Sequence, residues 1–240
     1  YDVRLELHYD YDAPVQGGRH LVRVTPASIP GIQRVIAATL RYDPKPVVES
    51  QFVDFFGNHV TSIVFQDAHE TLDIRLSARV LVDDIQPPAD LSPPLDRLKE
   101  DIARIWSLTP DSPHHFLAPS PRVEISPAMT EYARQSVART ISVQAAVTDF
   151  CMTINRDFTY ESGATDVETT PAEAFALKKG VCQDFAHVMI AGLRGVGIPA
   201  GYVSGFLRTN PPPGKPRLEG ADAMHAWVRA WCGLDVGWIE

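Results

Sequence analysis

The sequence predicts an α+β protein: an antiparallel β-sandwich-like N-terminal domain followed by a mixed core of helices and strands. Two observations carry this. Residues 1–85 hold short runs of period-2 alternation, whereas apolar residues from 126 onward recur at helical spacing before two late strands. Proline clusters at 87–94, 110–127 and 211–216 punctuate the chain between such units.

The elements follow in order. Val3 to Tyr9 alternates apolar and polar, as a half-buried strand does, and His20 to Thr25 is a second strand ended by Pro26. Gln33 to Tyr42, Gln51 to Phe55, His59 to Phe65 and Thr71 to Val82 supply four more, with Gly57-Asn58 as a hairpin turn. Short strands with regular turn signals point to a sandwich or barrel. Residues 86–125 read as a proline-rich linker around one short helix, because Leu95, Leu98, Ile102 and Ile105 share helical spacing. His114-His115 reads as a solvated loop pair.

From 126 to 240 comes the core. Ser126-Pro127 is a helix cap followed by a first-turn proline. A second helix runs from about Ser142 to Asn155, with Cys151 beside its apolar stripe as a small buried residue. Thr170-Pro171-Ala172-Glu173 is a capping box, and its helix is expected to stop with Gly180. Phe185, Val188, Met189 and Leu193 stripe the next helix, which Gly195 and Gly197 end. Ile198 to Leu207 and Met224 to Trp231 read as strands flanking a Pro/Gly-rich loop.

Composition narrows the function. Of 240 residues, 45% are hydrophobic and 22% charged, as in a globular protein, and the formal charge is −8. An acidic chain without a Lys/Arg run has no footprint for nucleic acid or anionic membrane. No apolar run is long enough to span a bilayer. Three widely spaced cysteines make neither a disulfide framework nor a zinc ribbon, and they suit a reducing compartment, so a cytoplasmic location is expected.

Cys182 sits at a predicted helix start, where unpaired N–H groups and the positive dipole end favour a thiolate and could hold an oxyanion. Taken alone, a cysteine is better read as a buried structural residue; the position after Gly180 at a helix start makes the two readings comparable. His225 opens a strand on a face shared with Trp227, Arg229 and Trp231, a place from which it can line a cleft. A thiol enzyme needs this pair, because an imidazole takes the thiol proton and later protonates the leaving group.

Three ordered motifs make the reading specific: Gly180 to His187, Gly197 to Gly205, and His225-Ala226-Trp227-Val228. Together they resemble the core of the transglutaminase-like superfamily, nearest its bacterial cysteine-protease branch. The opening strands and Asp54 to Asn58 resemble the β-rich N-terminal region of those proteins. The resemblance implies a papain-like transglutaminase core with a Cys-His-Asp triad, in which Cys182 and His225 fill the first two places. The aspartate is expected just beyond Glu240, after Gly237-Trp238, so the core reads as truncated at its C-terminus and the chain as poorly active. Asp222 and Asp235 do not match its position.

Gln183 and Tyr160 are candidate oxyanion or cleft residues beside Trp227, although Tyr160 also fits a core tyrosine and Gln183 and Asp184 fit first-turn cap roles. His187 is read as structural. A zinc site through Cys182, His187, His225 and Cys232 lacks any close ligand pair, so no metal is assigned. The expected activity is thiol-dependent acyl transfer on peptide amide or isopeptide bonds, on a protein or peptide substrate, by hydrolysis and without a cofactor. The alternative is a non-catalytic peptide-binding module that keeps the fold; a purely structural assembly protein gives no reason for the motifs.

Overall fold

The computed structural model describes residues 1–84, 89–207 and 224–240. The chain divides into two units, 1–87 and 88–240. Six strands build the first: β1 (Asp2–Val15), β2 (Arg19–Val22), β3 (Gln33–Asp43), β4 (Val48–Val53), β5 (His59–Val64) and β6 (His69–Val82). They pair antiparallel into two sheets, ordered β1-β6-β3 and β2-β5-β4.

Alternation decides which face goes inward. On β6, Leu72, Ile74, Leu76, Ala78 and Val80 are buried, while Arg75, Ser77 and Arg79 between them face water. Val22, Ile63 and Phe65 from one sheet region join Leu72 and Ile74 from the other in a single core, the sandwich expected from the sequence. Each such side chain, fully buried, contributes ~1.5–3 kcal/mol. The β4–β5 hairpin closes at Gly57, whose φ of 84° suits glycine. Asp54 Oδ1 accepts the N–H groups of Phe56 and Asn58, each at 3.0 Å, and so fixes that turn.

The second unit runs α1 (Leu95–Ala103), a 3-10 turn at Pro113–Phe116, α2 (Pro127–Arg139), α3 (Val143–Asp157), β7 (Thr159–Tyr160) and α4 (Pro171–Leu177). After these come β8 (Lys179–Gly180), α5 (Cys182–Gly195), β9 (Ala200–Phe206), β10 (Met224–Trp231) and β11 (Trp238–Ile239). The expected caps are present. Ser126 Oγ accepts from Met129 N, Ser142 Oγ from Ala145 N, and Thr170 with Glu173 forms the capping box. The core gathers α2, α3 and α5 on the strands through Met129, Phe150, Ile190, Leu193, Ile198 and Trp231.

Three expectations change here. Residues 89–125 pack into this unit instead of standing apart: Leu98, Ile102 and Val123 are buried in its core. His114 Nε2 and His115 Nε2 lie 2.9 and 3.1 Å from the carbonyls of Ile105 and Leu108, which ties that stretch to itself. Cys151 is exposed, because it falls one step outside the stripe of Val147, Phe150 and Ile154. The stop of α4 is Lys178, not Gly180: Lys178 takes the left-handed conformation at φ 53°. Its ammonium lies 3.5 Å from the Phe175 ring centroid and 4.3 Å from that of Tyr132, cation–π contacts that offset the strain.

Topology sets the site. A four-residue connection joins α5 to β9, and α5 packs on both β9 and β10. So short a link turns β9 back along the helix. β10 pairs antiparallel with β9 and therefore runs with α5, which brings the start of β10 to the end of the unit where α5 starts.

Candidate active site

Cys182 is the first residue of α5, and it is partly buried. Val181 occupies the cap position and has no side-chain oxygen to give. Asp184 does the work instead: its Oδ2 accepts the Val181 N–H at 2.8 Å and the Thr165 hydroxyl at 2.7 Å. The carboxylate is only 2% exposed, so these bonds, with the positive helix end, are what hold it there. Gly180 has φ 152°, and a Cβ on it would stand 2.5 Å from Asp184 Oδ2. Glycine is therefore required one step before the turn that presents the thiol.

The first bond inside α5 runs from Phe185 N–H to the Val181 carbonyl. The N–H groups of Cys182, Gln183 and Asp184 consequently have no acceptor within the helix and point out of its end. These are the groups that can meet negative charge developing beside the sulfur.

Tyr202 and His187 flank this helix start. Their rings stack at 5.2 Å between centroids and 37° between planes, joining β9 to α5. Burial pushes the His187 imidazole below the ordinary histidine range; Asp184 opposes that shift and Arg122 adds to it. Burial pushes the Tyr202 phenol up, and negative charge on Cys182 and Asp184 acts in the same direction. Both rings are thus held neutral.

His225 opens β10 opposite Gly205, and Trp227 stands opposite Val203. Directly paired residues share a face, so His225 and Trp227 lie on one face of the sheet, and Tyr202, Ala226 and Val228 on the other. His225 Nε2 is buried and has no hydrogen-bond partner among the described residues. Trp227 Nε1 donates to Glu240 Oε2 at 2.7 Å. The fold brings Cys182 and the start of β10 to one end of the unit, but His225 takes the sheet face opposite the one that Tyr202 turns to α5, and no hydrogen bond joins Cys182 to His225 among the described residues. Gln183 follows Cys182 in the same turn, partly buried. Tyr160 is 60% exposed and not a core residue: β7 is a two-residue strand beside Gly180, and the Tyr160 ring stands edge-on to Phe185 at 6.4 Å. Asp222 lies outside the described residues, and Asp235 is exposed. Among the described residues no group of three or more His, Cys, Asp or Glu is placed to hold a metal ion.

Comparison with known proteins settles the family. The model of the transglutaminase-like superfamily matches residues 130–240, and that of the bacterial transglutaminase-like N-terminal region matches residues 1–81. The chain belongs to the transglutaminase-like superfamily. An uncharacterized protein of Mycobacterium tuberculosis is 37% identical to this transglutaminase-like chain over 209 residues, which is 87% of the chain and 66% of the relative. A second, from Mycobacterium leprae, is 27% identical over 233 residues, 96% of the chain and 77% of the relative. The chain thus spans just under two thirds of the length of the Mycobacterium tuberculosis relative. A crystal structure from Cytophaga hutchinsonii, provisionally described as a cysteine protease, shares the fold at a TM-score of 0.73 and 23% identity. The match covers 99% of this chain and 74% of that one.

Two site features escape a reading of the sequence. Asp184 is visible there as a first-turn acid, but its bond to Thr165, 19 residues upstream, is not. Tyr202 appears only as one residue of a strand. The signal available for it is parity: it alternates with Gly201 and Val203, so it takes the same face as Ala200 and Ser204.

Proposed function

We propose that this protein is a thiol-dependent acyl-transfer enzyme acting on peptide amide or isopeptide bonds by hydrolysis. The observation that carries the reading is the start of α5, where the N–H groups of Cys182, Gln183 and Asp184 have no acceptor inside the helix, at the end of the unit where β10 begins. His225 takes the Cys182 proton, and the sulfur attacks the carbonyl carbon. The carbonyl electron pair moves to oxygen, which the helix-start N–H groups receive. Collapse expels the amine, protonated by the imidazolium, and leaves a thioester that water then cleaves. Gln183 and Trp227 act as cleft residues, and the substrate is a protein or peptide.

The pairing of β11 with β10 bears on the third member of the triad. Ile239 faces Ala230 and Trp238 faces Trp231, so each step forward on one strand is a step back on the other. Strand β11 thus runs back along the strand that His225 opens. The aspartate that the resemblance implies would orient the imidazole. The three cysteines are unpaired, which supports a reducing, cytoplasmic setting; recovery of the protein in a periplasmic fraction would overturn that part.

The test is covalent. Incubation with an amide or activated-ester substrate should leave an acyl adduct on Cys182, seen by intact-mass analysis and released by hydroxylamine. Failure to load Cys182 while the folded protein still binds peptides would favour the non-catalytic reading.

A further inference from the structure

Tyr160 is not the sole tyrosine that could assist Cys182. We propose that the Tyr202 hydroxyl is a further oxyanion donor: it bonds to the carbonyl oxygen of the acyl group while the Cys182 sulfur attacks. This rests on the acyl-transfer reading and deepens it.

Four observations support it. Tyr202 lies on the face of β9 that meets α5, shown by its stack on His187 at 5.2 Å. That stack fixes the ring from one side. Tyr202 is itself 42% exposed, so part of the residue stays open to solvent. Its hydroxyl donates to no protein group among the described residues, which leaves the proton free for a ligand.

Electrostatics point the same way. Negative charge on Cys182 and Asp184 bears on the phenol and, with burial, holds it protonated. A protonated phenol has a hydrogen to offer the oxyanion that develops in acyl transfer. Asp184 cannot fill that role, since its carboxylate is an acceptor already engaged by Val181 and Thr165. In the step itself the S–C bond forms as the carbonyl π pair moves to oxygen. Tyr202 O–H and the helix-start N–H groups bond to that oxygen without transferring a proton, and the leaving group takes the proton held by His225.

Two probes of Cys182 separate this from a structural role. Acylation by p-nitrophenyl acetate passes through a tetrahedral oxyanion, whereas alkylation by iodoacetamide does not. Tyr202→Phe keeps the ring stack and removes only the hydroxyl. The expected result is acylation slowed by about 100-fold, the order of one lost oxyanion donor, with alkylation held within about twofold. Unchanged acylation would overturn the assignment. Equal loss in both reactions would also overturn it, by showing that the ring matters only for packing. If wild type acylates no faster than Cys182→Ala, the thiol reading itself fails, and this assignment falls with it.

Discussion

Two helix starts lie 11 residues apart in this chain, and they are built differently. At α4 the chain uses its own side chains: the Thr170 hydroxyl accepts from Glu173 N–H, and Glu173 Oε2 accepts from Thr170 N–H at 2.8 Å. At α5 the cap residue is a valine, and the carboxylate of Asp184 reaches back to Val181 and across to Thr165. The first arrangement satisfies the helix end by itself. The second stabilises the turn from behind and leaves the N–H groups of Cys182 to Asp184 facing outward. A helix start capped from within is structural, whereas one braced from outside has donors to offer a ligand.

Substitutions sharpen the contrast. Gly180→Ala should have the largest effect, destabilising by about 3 kcal/mol, because strained backbone adds to a clash with a braced carboxylate. A melting temperature within a degree of wild type would show that the turn can relax. Asp184→Ala should cost about 2 kcal/mol by leaving the partly buried Val181 N–H without its carboxylate partner. Thr170→Ala at the self-capped helix should cost about 1 kcal/mol. Urea unfolding of both variants checks the order, and a larger loss at Thr170 would reverse the comparison.

The smallest effect is the pH response of His187. Its folded pKa is lowered by burial, so its neutral form is the one that folding favours. Stability should be fully present above about 6.5, the ordinary histidine value, and should decline as pH falls through that value toward the lower folded one. His187→Phe should flatten this part of the profile. A profile identical to wild type would place the acid sensitivity elsewhere, for example at His20, which burial also lowers.

Local chemistry was readable in the sequence wherever it closes within a few residues. The alternation of β6, the hydroxyl caps at Ser126, Ser142 and Thr170, and the placing of Cys182 at a helix start all rest on contacts spanning four residues or fewer. What was not readable depends on distant partners. Lys178 can take a glycine's conformation because Tyr132, Phe158 and Phe175 converge on its ammonium. The proline-rich stretch looked like a linker because its few apolar residues find their core in helices that come later. Cys151 sat one position off a stripe whose edge the spacing alone does not define. Tyr202 gains its meaning only when β9 folds back on α5.

The central claim is that Cys182 and His225 work as a pair, and the direct measurement is the rate of iodoacetamide alkylation against pH. Wild type should react rapidly at Cys182 near pH 6.5, and His225→Ala should lose that reactivity at the same pH while keeping its fold. Slow labelling of wild type, or equal rates in the two proteins across the pH range, would contradict the pairing and leave a transglutaminase-like fold without a thiol mechanism.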